Sequence, residues 1–193
     1  MKKKIYYGLG LIVIAIIGFV GYLALTTRSH SPSKTTSFNH EGLDITVAYC
    51  QPYKKGRVIF GEGKEALLQY GKYWRLGANE ATEITFSKNI NFAGKPVNAG
   101  TYRMYAVPGA NSWQVALNSE LGKWGAMEPN HDLDVVKVDV PVGEAPAETE
   151  QFTIDFSGDS ADTNMTFAWD KTMVTAAITL RSDVDKDDRF GTM

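Results

Sequence analysis

The sequence predicts an all-β protein: one antiparallel β-sandwich or jelly-roll-like domain behind a single N-terminal transmembrane helix. Three observations carry this reading. An uncharged apolar run from Ile5 to Thr27 opens the chain. From Asp44 onward, apolar and polar residues alternate between turn-forming residues, as half-buried strands require. Nowhere in the body does the i, i+3, i+4 apolar spacing of a long helix recur.

The apolar run justifies the helix. Lys2, Lys3 and Lys4 precede it, and its middle reads G-L-I-V-I-A-I-I-G-F-V-G-Y-L-A-L. At about 1.5 Å per residue it spans a hydrocarbon core of about 30 Å. Tyr6, Tyr7 and Tyr22 sit near its ends, where amphipathic rings favour the headgroup level. The positive-inside rule keeps the lysines cytoplasmic and sends the rest of the chain across the membrane. The expected location is the inner (cytoplasmic) membrane, single-pass, with the body in the periplasm or extracytoplasmic space. The competing reading is a cleaved signal peptide, whose apolar region is shorter, about 7–15 residues, and ends at a small-x-small site. Leu25-Thr26-Thr27-Arg28 after Ala24 is a poor match. Residues 1–27 are therefore read as an uncleaved signal-anchor, with the membrane as partner of residues 5–27. Residues 28–40, R-S-H-S-P-S-K-T-T-S-F-N-H, are read as a polar linker and flexible tether.

The body, 41–180, reads as about eight to ten short strands. Ile84 and Phe86 share a face, as do Tyr102, Met104 and Ala106, and Trp113, Val115 and Leu117. Val136, Val138 and Val140 form a clean half-buried strand. Phe152, Ile154 and Phe156 follow, then Met165, Phe167 and Trp169, then a last strand over 173–180. Turns are expected at Ala93-Gly94-Lys95, at Pro108-Gly109-Ala110-Asn111 and at Asp170-Lys171. Residues 141–149 read as a loop, and 63–69 as a short helix with Ala66, Leu67 and Leu68 on its apolar side. Residues 181–193 form a charged tail.

Composition excludes several functions. Hydrophobic residues make up 44% of the 193, enough for a real core. A net charge of -2 and no basic stripe give no case for nucleic acid. Cys50 is the one cysteine, so no internal disulfide and no multi-thiolate zinc site is possible. His30, His40 and His131 are scattered, and no metal or cofactor is expected. G-x-S-x-G, H-E-x-x-H and P-loop motifs are absent.

Two dense stretches remain. Residues 74–82 read W-R-L-G-A-N-E-A-T. Gly77 permits a sharp turn, and Asn79 tolerates left-handed φ. As a structural corner, the stretch leads into the strand at Thr82. As a binding lip, Arg75, Asn79 and Glu80 meet a sugar or polar peptide, with Trp74 and the loop residue Trp124 supplying ring faces. The second stretch is Y-C-Q-P-Y-K-K-G-R, residues 49–57. Its Lys55-Gly56-Arg57 is a solvated turn or a basic lip. Cys50, with no histidine close in sequence, reads as a buried thiol rather than a nucleophile.

The segments K-G-R-V-I-F, Y-G-K-Y-W-R-L-G-A-N-E-A-T-E-I-T-F-S, A-G-T-Y-R-M-Y-A-V-P-G and L-G-K-W-G-A resemble the bacterial domain of unknown function 2911 (DUF2911), over about residues 43–180. The resemblance implies an exported or membrane-attached β-rich domain and assigns no catalytic residue. Cys50 departs from it, since serine is the more usual residue there.

The expected function is a membrane-anchored ligand- or partner-binding envelope module, for a glycan or an envelope protein. The ligand-binding candidates are Trp74, Arg75, Asn79, Glu80 and Trp124. The alternative is a carbohydrate-active or other hydrolytic enzyme using Glu80 and a second carboxylate.

Overall fold

The computed structural model describes residues 2–159 and 161–181. The chain opens with α1 (Lys2–His30), in which Gly10–His30 is long and apolar enough to cross a membrane. Leu11, Ile14, Ile17 and Phe19 on it are 62% to 69% exposed, so no protein surface covers them.

The body is mostly antiparallel sheet. Its strands are β1 (Ser33–His40), β2 (Leu43–Cys50), β3 (Phe60–Gly61), β4 (Leu68–Gln69), β5 (Thr82–Phe86), β6 (Ile90–Phe92), β7 (Lys95–Val97), β8 (Gly100–Val107), β9 (Ser112–Asn118), β10 (Asp134–Gly158) and β11 (Thr163–Leu180). A nine-stranded sheet runs in the order β1-β2-β5-β8-β9-β10-β11-β6-β7, and β3 and β4 pair apart from it. β10 is the shared strand. Its first part pairs with β9, from Asp134↔Asn118 to Pro141↔Ser112, and its second part with β11, from Val142↔Val174 to Gly158↔Thr163.

The sheet bends back on itself. Tyr49 on β2 accepts the Ile154 N–H from β10 at 2.9 Å, and Gln51 Nε2 donates to the Phe152 carbonyl at 3.2 Å. The core fills the fold between. Ile45, Val47, Ile84, Val115, Phe152, Ile154, Phe167 and Ile178 are fully buried. At its centre the Trp74 ring lies 4.8 Å from Phe152, 5.5 Å from Trp113 and 5.9 Å from Trp169, centroid to centroid. Close edge and stacked contacts of this kind add to the area these rings bury.

The alternation expected of β5, β10 and β11 is present. The expected core-facing residues of β8 and β9 are buried, but so are the opposite faces of these strands over Tyr102–Ala106 and Val115–Asn118. The Ala93-Gly94 turn stands between β6 and β7, with φ of 45° and 79°. Four local expectations need correction. Residues 28–40 are no tether: α1 continues to His30, and Ser33–His40 pairs along its length with β2. Polar side chains suit an edge strand with open faces, which reads in sequence like a linker. Residues 63–69 form no helix. The N–H groups of Leu67 and Leu68 go instead to the Val58 and Ile59 carbonyls, at 2.9 and 2.8 Å. So short a segment has no helical stability of its own against such bonds. Residues 141–149 lie within β10, where Pro141 falls at the change of partner from β9 to β11 and needs no donor. Asp170-Lys171 is a kink in one long strand, with Asp170 at φ 57°, opposite the irregular register of β10 near Thr149. The tail expected beyond Arg181 lies outside the described residues.

Candidate functional site

W-R-L-G-A-N-E-A-T forms the corner between the β4 region and β5. Trp74 fixes its start: its N–H and C=O both pair with Ala106 on β8 at 2.8 Å, and its ring Nε1 donates to the Gly77 carbonyl at 3.1 Å. Leu76 and Asn79 take left-handed φ of 51° and 58°, and Gly77 takes 152°. Thr82 Oγ1 closes the corner by donating to the Leu76 carbonyl at 2.7 Å. The loop L-G-K-W-G-A braces it from outside. Gly125 N–H donates to the Asn79 carbonyl at 3.2 Å, and Tyr73 OH donates to the Gly125 carbonyl at 2.9 Å.

The corner also walls a cleft of about 720 Å³, within the range of small-molecule sites. Trp74, Arg75, Gly77 and Asn79 line it from the corner, Tyr53, Lys55 and Arg57 from the second dense stretch, and His30 and Ser31 from the end of α1 and the residue after it. Trp74 and Trp169 are almost wholly buried and form the floor, while Tyr53 and Tyr73 are half-buried and present surface. Lys55 and Gly56, with φ of 50° and 68°, make the tight turn that carries Arg57, whose N–H donates to the Lys54 carbonyl at 3.1 Å. Arg57 folds back over this turn, donating from Nε to Lys54 O at 2.9 Å and from Nη2 to Tyr53 O. Arg75 Nη1 donates to Asn79 O at 3.2 Å, which holds its fork at the rim.

Glu80 and Trp124 face elsewhere. They line a neighbouring cleft of about 470 Å³ with Cys50, Ala81, Glu83 and Lys123. Trp124 is 51% exposed, and its backbone bridges to Glu80. Glu80 is occupied on both oxygens: Arg28 Nη2 donates to Oε1 at 2.6 Å, and Cys50 Sγ donates to Oε2 at 3.3 Å. Partial burial works against its charge. Its own backbone N–H, the Cys50 thiol and Arg28 outweigh that and hold its carboxyl below the usual range. Burial, together with the carboxylate, pushes the Cys50 thiol up, away from nucleophile behaviour. The five candidates thus divide, with Trp74, Arg75 and Asn79 in one cleft and Glu80 and Trp124 in the next. Among the described residues, no group of His, Cys, Asp and Glu is placed to hold a metal ion.

The family model of DUF2911, described as a protein of unknown function, matches residues 31–178. The chain belongs to the DUF2911 family. No curated protein and no solved structure matches it. The DUF2911 region starts at Ser31, directly after α1, and takes in β1.

This DUF2911 domain also holds a buried polar cluster that sequence alternation misses. Arg103 and Tyr105 on β8 point away from the core, yet both are 1% exposed because residues 119–133 cover that face. Arg103 Nη2 donates to Tyr73 OH at 2.7 Å and to the Met127 carbonyl. Tyr105 OH donates to Asp134 Oδ2 at 2.7 Å, and Asn118 Nδ2 and Lys137 Nζ reach the same carboxylate at 2.7 Å. Burial works against the Asp134 charge, but Lys137, Asn118 and Tyr105 together hold its carboxyl below the usual range. Burial and the Asp134 carboxylate push the Tyr105 hydroxyl far up, so it remains a donor. The sequence signal was R-x-Y on one strand face, ordinarily a solvated pattern.

Proposed function

We propose that this chain is a single-pass membrane protein whose extracytoplasmic β-sandwich binds a polar ligand, with a glycan as the class that fits best. Lys2, Lys3 and Lys4 before an uncovered apolar helix support a cytoplasmic N-terminus and an uncleaved anchor. The bend of the sheet over a shared core supports a sandwich.

The observation that carries the binding reading is the 720 Å³ cleft, where half-buried Tyr53 and Tyr73 stand beside the Arg75 fork and Asn79. Ring faces beside convergent donors and an amide are what a sugar requires. The hydrolase reading has less support. An acid catalyst needs a carboxyl pushed up towards neutral pH, whereas Glu80 is held down and tied to Arg28 and Cys50.

The test is calorimetric titration of the full chain, reconstituted in phosphatidylcholine nanodiscs, with chitotriose, a neutral N-acetylglucosamine oligomer. Binding that Arg75→Ala and Tyr53→Ala each weaken is the expected result. Binding untouched by both variants, or hydrolysis of the sugar that Glu80→Gln abolishes, would overturn it.

A further inference from the structure

The cleft has a charge character that the glycan reading does not use. Lys55, Arg57 and Arg75 line it, and among the described residues no aspartate or glutamate does. Elsewhere, cations near carboxylates pair with them: Lys54 with Glu148 and Asp170, Lys137 with Asp134, and Arg28 of α1 with Glu80. Among the described residues, Lys55, Arg57 and Arg75 have no carboxylate within salt-bridge distance of their charged groups. Their side chains bond only to His30 Nδ1, to the carbonyls of Lys54 and Tyr53, and to the carbonyl of Asn79. Glu150 comes near, but it accepts from the backbone N–H of Lys55 at 2.9 Å. Exposed lysines without acidic partners are common on any surface. What sets these cations apart is that all three line one concavity together with the Trp74 and Trp169 rings, where screening is weaker than on open surface.

The location adds a second point. His30 is the last residue of the apolar helix, Lys55 Nζ lies 2.7 Å from its ring, and Asn79 Nδ2 donates to the Ser31 carbonyl at 3.4 Å. From Thr27 to His30 the helix axis advances only about 4.5 Å. The cleft therefore lies beside the end of the membrane-crossing segment, on the side the anchor reading places outside.

We propose that the cleft is a site for an anionic ligand, a phosphate group presented at the membrane surface, held by Lys55, Arg57 and Arg75. Arg75 and Arg57 offer phosphate oxygens the N–H groups not already given to the Asn79, Lys54 and Tyr53 carbonyls, Lys55 supplies a point charge, and Tyr53 and Tyr73 offer ring surface to the group that bears the phosphate. This deepens the binding reading above and rests on it. Two sources share the chemistry: a phosphorylated sugar and an anionic lipid headgroup.

The experiment compares N-acetylglucosamine with N-acetylglucosamine 6-phosphate on the full chain in phosphatidylcholine nanodiscs, read by tryptophan fluorescence and calorimetry. The expected result is that the phosphorylated sugar binds at least about tenfold more tightly, the order of one charge-assisted hydrogen bond. That preference shrinks with added salt. Arg57→Ala, at an exposed turn, and Arg75→Ala each remove most of it, with the thermal midpoint of each variant measured alongside, while Lys88→Ala, the same charge change outside the cleft, does not. A second set of discs contains phosphatidylglycerol. Competition by these discs assigns the phosphate to the bilayer, and undiminished sugar-phosphate binding assigns it to a soluble ligand. Equal affinity for the two sugars would overturn the anion site and leave the binding reading standing. Binding of neither sugar, with no competition for any probe, would overturn both.

Discussion

Gly77 packs directly against the backbone of Cys50: a β carbon on Gly77 would stand 2.8 Å from the Cys50 carbonyl oxygen and 3.3 Å from Thr82 Oγ1. This contact joins the two dense stretches of the sequence. It also puts the Arg75–Asn79 wall beside the Lys55–Arg57 turn. Its consequence is sharp intolerance of any side chain. Gly77→Ala meets both the close oxygen and a φ of 152°, a region L residues avoid. We expect a loss of about 2–4 kcal/mol, read as a fall in Tm of roughly 5–15 °C for a domain of this size. An unchanged midpoint would show that the corner relaxes freely.

Asn79 and Glu80 are adjacent and should behave differently. Asn79 is 8% exposed with φ of 58°, so Asn79→Ala forces alanine into a left-handed conformation and removes the bond to Ser31. The expected cost is about 1–2 kcal/mol. Asn79→Gly restores the backbone freedom and recovers part of it. The Glu80 side chain is 42% exposed, and Glu80→Ala should shift thermal unfolding by no more than about 2 °C. Equal effects of the two alanine variants would contradict the division of the corner described above.

Gly125 is the brace. A β carbon there would lie 2.7 Å from Arg75 Cδ and 2.8 Å from the Glu80 carbonyl oxygen. Gly125→Ala must push L-G-K-W-G-A away from the corner or displace Arg75. The expected outcome is weaker chitotriose binding together with a drop in Tm of several degrees, about 1–3 kcal/mol. A normal Tm and normal affinity would mean the loop is free to shift.

Asp134 gives a pH dependence with a defined sign. Its carboxyl is depressed in the fold, below the ordinary 3.8. It therefore contributes stability above that value and loses it as pH falls through the lower folded value. Denaturant unfolding of the full chain should show stability declining below pH 3.8 in the wild type. The Asp134→Asn variant should be less stable at neutral pH and flatter on the acid side. Tyr105 is raised instead, so its contribution is present below the ordinary 10.0 and fades as pH rises beyond it.

The anchor has a simple check. Intact mass of the protein recovered from membranes should be 21.3 kDa. Removal of a signal peptide of about 15–30 residues would take away about 2–3 kDa and refute it.

By itself the sequence determined the apolar helix, the β class of the body and the family. It also marked the core-facing residues of β5, β8, β9, β10 and β11. These are local properties: hydrophobicity over a run, and alternation along a strand. Gly77 and Asn79 were legible as a turn because φ preference belongs to single residues. Ser33–His40 was not legible, because an edge strand takes its hydrogen bonds from a neighbour distant in sequence and buries little. Nor was the continuity of β10, whose partner changes at Pro141. The tertiary structure alone decided that Arg75 shares a cleft with His30, Lys55 and Arg57, while Glu80, one residue after Asn79, faces Trp124 and Cys50. It alone buried Arg103 and Tyr105, since a long-range loop covers the strand face that alternation assigns to water. Convergence in space is set by how distant segments pack, and composition and spacing carry no record of it.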